Sequence, residues 1–334
     1  MSWPCSRTNP IFHELASQGV WGAVVVLVRI GTRGSKLALA QAAQIRRKLK
    51  TFFPKIRFEF SIVKTEGDEY QSVELFKKNH VGVFTNAIER KLLQKEVDIA
   101  VHSLKDLPTE LSKGLKLAAI PKRAPIEDAL ISRFRYTLTN LPKNAKVGTG
   151  SPRRKRQLLR LRPDLEVLDL RGNLDTRVSK VIKEKKLDAV VVAMAGLERL
   201  GKFKKYSRRV PANQILPAIG QGALGIQIRA KDPVIEKIAH RLNHAETETL
   251  ALAERAFLKK LRGGCRIPAG IFSVKKGKNI YLKAAVFSVK NNSFVEAEVT
   301  GPITKSILIA ENLARTLLKK GAKKLLIEAR SGSG

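Results

Sequence analysis

The sequence predicts an α/β protein with two α/β units and a third, small α+β unit. Short apolar runs such as residues 97–102 and 189–193 are typical of buried strands, and they alternate with segments whose apolar residues recur at helical spacing. Residues 31–35 and 148–152 resemble one another, as expected if two similar units face each other across a cleft, although so short a match can arise by chance. After residue 246 the pattern changes to that of an antiparallel α+β unit.

Each element is predicted from its local pattern. Helices are predicted where apolar residues recur every three or four positions, and strands where apolar residues alternate or run together between turn residues. Pro121 and Pro125 indicate the boundary between the first two units. The predicted strands are 24–30, 58–65, 97–102, 115–120, 128–132, 145–147, 166–170, 189–193, 225–229, 267–274, 280–287, 294–300 and 324–329. The predicted helices are 37–53, 84–93, 152–161, 176–186, 246–261 and 307–320.

Composition restricts the function classes. A chain of 334 residues is too long for one typical core and predicts two or three domains. The net charge of +35 favours polyanionic partners, but no run interleaves aromatic with basic residues as a base-stacking surface would. The two cysteines, Cys5 and Cys265, exclude a disulfide scaffold and fit a reducing cytoplasm. Since no histidine pair has an evident third ligand, we expect no metal.

The N-terminal residues need a separate interpretation. The apolar run 19–28 is too short to span a membrane, and no small-residue cleavage site follows it. We therefore expect no membrane attachment. Residues 1–24 are interpreted as a disordered extension or as the product of a start codon assigned too early.

Basic residues recur where strands and helices end. Ser151 is a predicted helix N-cap followed by Pro152, and Arg153 and Arg154 lie in the first turn, where positive side chains oppose the helix dipole. A helix start with two arginines is unfavourable for the helix alone, so it predicts a bound anion. The alternative is that both arginines belong to a solvated basic face. The further arginines at turns and element ends are Arg33, Arg171, Arg177 and Arg199.

Two other residues suggest chemistry. Asp106 directly follows a buried strand, where a carboxylate can serve as an acid, a base or a stabiliser of a cation; the alternative is a structural turn aspartate. Cys265 follows two glycines, and Arg262 and Arg266 would favour its nucleophilic thiolate. The alternative for Cys265 is a small buried hydrophobic residue.

Eight segments, taken together, resemble the porphobilinogen deaminases, also called hydroxymethylbilane synthases. The segments are RIGTRGSKLALAQ, KTEGD, VHSLKDLPT, VGTGSPRR, LRGNLDTR, AGLERLG, PAIGQGALG and RGGCRIPAG, in the family's order from about residue 29. The resemblance implies two domains like periplasmic binding proteins and a third that carries a cofactor cysteine. It also implies the head-to-tail joining of four porphobilinogen molecules with release of ammonia, and hydrolysis to free hydroxymethylbilane.

The resemblance also implies where the domains lie. Domain 1 comprises residues 25–122 and 219–241, domain 2 residues 127–218, and domain 3 residues 245–334, after an N-terminal extension of residues 1–24. We expect a cytoplasmic monomer that takes porphobilinogen as its small-molecule substrate and has no specific nucleic-acid or membrane partner.

Roles for individual residues follow from the same resemblance. Cys265 would hold a dipyrromethane cofactor through a thioether, and Asp106 would assist proton transfer and stabilise the cation left when ammonia departs. The implied cofactor-binding residues besides Cys265 are Lys105, Ser151, Arg153 and Arg154. The implied substrate-binding residues are Arg33, Ser35, Thr149, Arg171, Arg177 and Arg199. The family's reaction requires no metal.

The chain departs from the family's pattern in one segment. Residues 80–84 read HVGVF, with Val81 at a usual lysine position, and Asn86 and Ala87 replace charged residues nearby. Because this segment is thought to cover the active site, the departure bears on the rate of elongation. Two other hypotheses remain open: a non-enzymatic carboxylate receptor of the same two-lobed fold, and a nucleic-acid binder driven by charge. The receptor hypothesis leaves Asp106 and Cys265 without a role.

Overall fold

The computed structural model describes residues 27–64, 85–262 and 267–331. These residues form two five-stranded mixed sheets and one three-stranded antiparallel sheet, which confirms the predicted fold class. The expected N-terminal extension (residues 1–24), the segment 80–84 and Cys265 lie outside the described residues.

The first sheet begins with a strand, a helix and two strands parallel to the first. β1 pairs in parallel with β2 and with β3. The helix between β1 and β2 starts where the Ser35 hydroxyl accepts a hydrogen bond from the Ala38 amide at 3.3 Å, and it buries Ile45 and Leu49 against the sheet. The elements are β1 (Leu27–Arg33), α1 (Lys36–Phe52), β2 (Arg57–Val63), α2 (Asn86–Leu93), β3 (Ile99–Ser103) and β4 (Leu115–Ala119).

The second sheet is formed by the middle of the chain. Its strand order is β7-β6-β8-β5-β9, with β6 parallel to both neighbours and β5 antiparallel to both of its own. The elements are β5 (Asp128–Ser132), β6 (Lys146–Gly148), α3 (Pro152–Leu161), β7 (Glu166–Leu168), α4 (Leu174–Ile182), β8 (Ala189–Ala193), α5 (Met194–Leu200) and β9 (Ser207–Val210).

The chain then returns to the first sheet. β10 (Leu224–Arg229) lies antiparallel between β3 and β4, so the first sheet has the order β2-β1-β3-β10-β4. The two sheets therefore have the same pattern of strand directions, and β1 and β6 occupy equivalent positions. The two similar sequences noted above lie at these equivalent strands. Two connections, 120–127 and 211–223, join the sheets.

The C-terminal part packs helices on the three-stranded sheet. Phe257, Leu282 and Leu313 are buried together in its core. The sheet order is β11-β12-β13, and each pair is antiparallel. The elements from the first sheet onward are α6 (Pro233–His240), α7 (Ala245–Lys260), β11 (Ala269–Lys276), β12 (Asn279–Phe287), β13 (Phe294–Pro302), α8 (Ser306–Leu317) and α9 (Lys323–Ser331).

Some predicted elements differ from the structure. The predicted strand 324–329 is wrong, because this segment is helix α9: Ala322 and Leu326 are four residues apart and both buried, while Ile327 is 53% exposed. The first strand continues to Arg33 rather than ending at residue 30, since Thr32 still pairs with Ile62. Helix α4 starts at 174 instead of 176. The pattern missed α5, α6 and β9 entirely.

We expect Gly222→Ala to lower the free energy of unfolding by about 2 kcal/mol or more. Gly222 has a φ of +84°, and an added Cβ would lie 2.8 Å from the Pro125 carbonyl oxygen and would also meet that of Ala124. Gly277→Ala is the matched control, because its φ is +59° but an added Cβ would meet nothing within 4 Å. Chemical denaturation measures the free energy of unfolding of both variants. Equal losses would contradict a role for the contact between the added Cβ and the two carbonyl oxygens.

Candidate active site

A cavity lies at the carboxyl ends of β1 and β3, beside the start of α1. In an open α/β sheet this edge is where ligands bind. The structure brings together here Asp106 with Arg33 and Ser35, which come from a different predicted motif. The polar residues that line the cavity are Arg33, Ser35, Gln41, Thr85, His102, Ser103 and Asp106.

The backbone around Asp106 is anchored from two sides. Asp106 ends a 3-10 turn that directly follows β3. The Leu104 amide donates to the Ala223 carbonyl at 3.0 Å, which ties the turn to the returning connection. From α7, the Arg255 guanidinium donates to the carbonyls of Leu107 at 3.0 Å and Pro108 at 2.5 Å. The turn therefore holds the carboxylate in a defined place at the cavity wall.

The back wall of the cavity contains a buried hydrogen-bonded network. His102 Nε2 lies 2.9 Å from Gln227 Oε1, and the Gln227 amide donates to Glu89 at 2.7 Å. Glu89 also accepts from the Ser112 hydroxyl. Burial lowers the pKa of His102 to about 4, although Gln227 and Glu89 act in the opposite direction. His102 is therefore neutral at neutral pH and joins β3 to β10 and α2.

The anion at the start of α3 is supplied by the protein itself. Arg153 Nη2 donates to Asp128 Oδ2 at 2.9 Å, and Arg154 Nη2 donates to Asp128 Oδ1 at 2.7 Å. Asp128 begins β5 and is 0% exposed. Burial alone would raise its pKa, but the two arginine charges hold it well below the ordinary value. The sequence predicted a bound anion for both arginines; in the structure an internal carboxylate binds them, and an external anion at this place stays a prediction.

Both arginines also bind backbone carbonyls, and in each the buried Nε atom has no partner among the described residues. Arg153 donates to the Leu216 carbonyl at 2.5 Å, and Arg154 donates to that of Val191 at 3.2 Å. Among the described residues, no partner accepts from the buried Nε atoms of Arg153, Arg154 or Arg199. Buried donors normally have partners, so these atoms are well suited to a bound acceptor.

Further cations surround this pair. Burial lowers the pKa of Arg177, and the charges of Arg154 and Arg171 lower it further, which places these three side chains near one another. None of the ion pairs in the described part of the chain includes Arg177; its Nε donates to the Gly172 carbonyl at 2.8 Å. Arg199 donates to the Gly222 carbonyl at 2.7 Å, and burial lowers its pKa to about 10.

Lys105 connects the arginine group to the cavity. Burial lowers the pKa of Lys105, Asp106 raises it, and Arg154 lowers it. The charges of Asp106 in the cavity and of Arg154 in the arginine group therefore both act on its ammonium group. A local excess of positive charge in a partly desolvated place favours acidic ligands.

The three predicted hydroxyl residues stabilise the helix starts. Ser35 caps α1, and Ser151 caps α3 by accepting from the Arg154 amide at 3.5 Å. The buried Thr149 hydroxyl accepts from the Ser151 amide at 3.3 Å. Because a hydroxyl can accept and donate together, each can still donate to a ligand.

Family models match most of the chain. Residues 28–237 match the model "Porphobilinogen deaminase, dipyromethane cofactor binding domain", and residues 249–319 match "Porphobilinogen deaminase, C-terminal domain". The chain belongs to the porphobilinogen deaminase family. The porphobilinogen deaminase of Syntrophus aciditrophicus is 41% identical over 305 residues, which cover 91% of this chain and 99% of the relative. That of Chlorobium phaeobacteroides is 43% identical, with coverage of 90% and 97%.

Two solved structures resemble this porphobilinogen deaminase family member only remotely. An arginine-specific periplasmic binding protein of Salmonella typhimurium has a TM-score of 0.37 and 12% identity, covering 68% of this chain and 93% of its own. YhfZ from Shigella flexneri has a TM-score of 0.37 and 15% identity, with coverage of 74% and 95%. Both are too distant to bear on function.

The residues around the arginine group fit an acidic pyrrole cofactor. The acetate and propionate groups of dipyrromethane are carboxylates, which guanidinium groups bind in paired hydrogen bonds. The Nε atoms of Arg153 and Arg154, which have no partner among the described residues, offer donors together with Lys105, whose pKa both Asp106 and Arg154 affect. No group of three or more metal-ligating side chains occurs in residues 27–64, 85–262 and 267–331. Within the same ranges, no helix is long and apolar enough to cross a membrane.

Sequence reasoning missed three buried polar residues: Asp128, Gln221 and His102. Asp128 carried a detectable signal, because it begins a strand of otherwise apolar type, where a buried carboxylate needs a partner. Gln221 lies in the glycine-rich segment PAIGQGALG, and His102 lies within a predicted strand. Neither has a local pattern that distinguishes a buried network from a surface position.

We expect the free energy of unfolding to rise with pH between about 4 and 6.5 because of His102. In this window the unfolded chain binds a proton that the folded chain excludes, so a pKa lowered from 6.5 to about 4 corresponds to roughly 3 kcal/mol. Urea unfolding at pH 4.5 and pH 7 measures the change. The difference should be smaller in His102→Gln, and an identical pH dependence in the variant would contradict the assignment.

Proposed function

We propose that the chain is a hydroxymethylbilane synthase, a transferase of tetrapyrrole and heme biosynthesis. It joins four porphobilinogen molecules head to tail, releases ammonia at each step, and frees hydroxymethylbilane by hydrolysis. The match of both family models along the chain carries this conclusion. The cavity that joins Asp106 to Arg33 and Ser35 agrees with it, since a carboxylate and a carboxylate-binding arginine share one wall.

Asp106 is the proposed catalytic residue. Loss of ammonia leaves a cationic, azafulvene-like species on the incoming pyrrole, and a fixed carboxylate stabilises that charge where it develops. The anchored turn after β3 holds the carboxylate before the charge appears, so little reorganisation is needed. Asp106 can also accept and return a proton.

The basic residues are proposed to bind the acidic groups of cofactor and substrate. Dipyrromethane, when bound, supplies the pyrrole end that accepts the first substrate, and Cys265 is its proposed thioether anchor. The proposed cofactor contacts are Lys105, Ser151, Arg153 and Arg154. The proposed substrate contacts are Arg33, Ser35, Thr149, Arg171, Arg177 and Arg199. The proposed cofactor and substrate contacts adjoin, since Arg177 lies near Arg154 and Thr149 accepts from the Ser151 amide, which suits a substrate that must meet a primer already in place.

We also infer the domain assignment from sequence and fold. Residues 25–122 with 219–241 form domain 1, residues 127–218 form domain 2, and residues 245–334 form domain 3; the three sheets support this division. We infer a cytoplasmic monomer with no specific nucleic-acid partner.

The intact mass of the purified protein under denaturing conditions tests the tether. We expect a covalent adduct of two linked pyrroles that is absent in Cys265→Ala, because only a thioether to that cysteine survives denaturation. An unmodified but active protein would refute the tether. An unmodified, inactive protein that still binds porphobilinogen would favour the receptor hypothesis.

Replacing Asp106 tests the catalytic assignment. Asp106→Ala should retain its thermal midpoint within a few degrees but lose at least about 99% of turnover, since charge stabilisation and proton transfer are both removed. Glu110→Ala is the control, because Glu110 is an exposed carboxylate four positions further on, paired only with Lys259 at the surface. Near-normal turnover in Asp106→Ala would move the acid role to another residue.

A further inference from the structure

One carboxylate in α7 binds three separate parts of the chain. Glu254 is 1% exposed and accepts hydrogen bonds from both Nη groups of Arg123, at 2.6 and 2.9 Å. It also accepts from the Gly220 amide at 2.7 Å and from the Ser273 hydroxyl of β11 at 2.5 Å. Four donors satisfy its two oxygens, so a buried charge is fully compensated.

Arg123 extends this contact to the two connections between the sheets. Arg123 lies in the first connection, and its Nε donates to the Gln221 carbonyl of the second connection at 2.7 Å. Its amide donates to the Thr247 hydroxyl of α7 at 3.2 Å. Both connections are therefore fastened to one helix of the C-terminal part.

Gln221 then joins the connections to the arginine pair. Its side chain is 0% exposed, and its amide nitrogen donates to the Ile126 carbonyl at 2.6 Å and to Asp128 Oδ1 at 2.8 Å. Its amide oxygen lies 3.5 Å from Arg154 Nη2. An amide can both donate to the carboxylate and accept from the guanidinium, so the residue type matches its place.

We propose that Gln221 is a positioning residue for Arg153 and Arg154. Through the contact of Arg123 with Gln221, Glu254 holds the C-terminal part in a fixed position relative to this arginine pair. Glu254 and Ser273 lie on α7 and β11, the two elements that flank the chain segment containing Cys265. The network therefore joins the two elements on either side of that segment to Arg153 and Arg154, the proposed cofactor contacts. In this respect the proposal rests on the proposed function.

The proposal predicts a loss of binding rather than a loss of chemistry. Gln221→Met keeps the volume but removes the three polar contacts of the side chain, and Glu254→Gln removes the charge that holds Arg123. We expect KM for porphobilinogen to rise about tenfold in each variant, with kcat within about twofold. Gln221→Met removes a partner of Asp128 and Arg154, and Glu254→Gln loosens Arg123, which binds the Gln221 carbonyl; either change displaces the arginines that hold the cofactor beside which porphobilinogen binds, while the contacts that anchor the turn of Asp106 are kept. The intact mass should still show the pyrrole adduct in both variants.

A double-mutant cycle separates positioning from general destabilisation. In an Arg154→Lys background, Gln221→Met should raise KM less than about twofold further, because the side chain that it positions has been changed. In an Arg177→Lys background the rise should remain about tenfold. Equal effects in the two backgrounds would overturn the proposal.

A matched control removes a similar buried ion pair elsewhere. Asp98 is 7% exposed and binds Arg29 at 3.1 Å and Arg229 at 3.0 Å, at the opposite end of β3 from Asp106. Asp98→Asn should lower the thermal midpoint and leave KM unchanged. If it raises KM as much as Gln221→Met does, the effect reflects stability alone and the proposal fails.

Binding without turnover distinguishes this proposal from the proposed function. In an Asp106→Asn background, the rise in thermal midpoint caused by porphobilinogen depends on affinity alone. Adding Gln221→Met should reduce that rise, and adding Asp98→Asn should not. If the unchanged chain binds porphobilinogen but never converts it, the proposed function fails while positioning stands. If Gln221→Met leaves the rise unchanged, positioning fails.

Discussion

The buried carboxylate of Asp128 is the interaction on which the arrangement of the site depends. A charge with no exposed surface is tolerated only when it is paired and hydrogen-bonded, and Asp128 meets this need with Arg153, Arg154 and Gln221. In return, it compensates two arginines at a helix start, where the dipole opposes positive charge. The start of α3, the start of β5 and the returning connection are therefore held at one point.

The cations around that point are the basis for the proposal of acidic ligands. Asp128 compensates the arginine pair, but Arg177 and Lys105 have pKa values that burial lowers, and each stands close to like charges. Carboxylates bound among these cations offset both the cost of burying them and the repulsion between like charges. Guanidinium groups also bind carboxylates with defined geometry. A growing chain of pyrroles carries such groups on every ring. This local excess of positive charge comes from a few buried cations that lie close together. It is distinct from the net charge of +35 that is spread over the sequence.

Several parts of the fold and the site could be predicted because their signals are local. The strands β5 and β8 have the predicted bounds, since runs of buried apolar residues end at turn residues. Arg33 and Asp106 follow two strands of one sheet, and parallel strands end at the same edge, so their meeting was predictable. Helix α9 was not, because its apolar residues also suit a strand and only the packing of Leu326 selects the helix.

The sequence by itself determined the family, the types of most elements and the residues that bear chemistry, because ordered motifs and local periodicity are written along the chain. Only the tertiary structure decided which charges are paired. Asp128 lies 25 residues from Arg153, and Gln221 lies 93 residues from Asp128. Their contacts form because burial brings distant charged and polar groups to one place, where each must find a partner, and no local pattern records which partner that is.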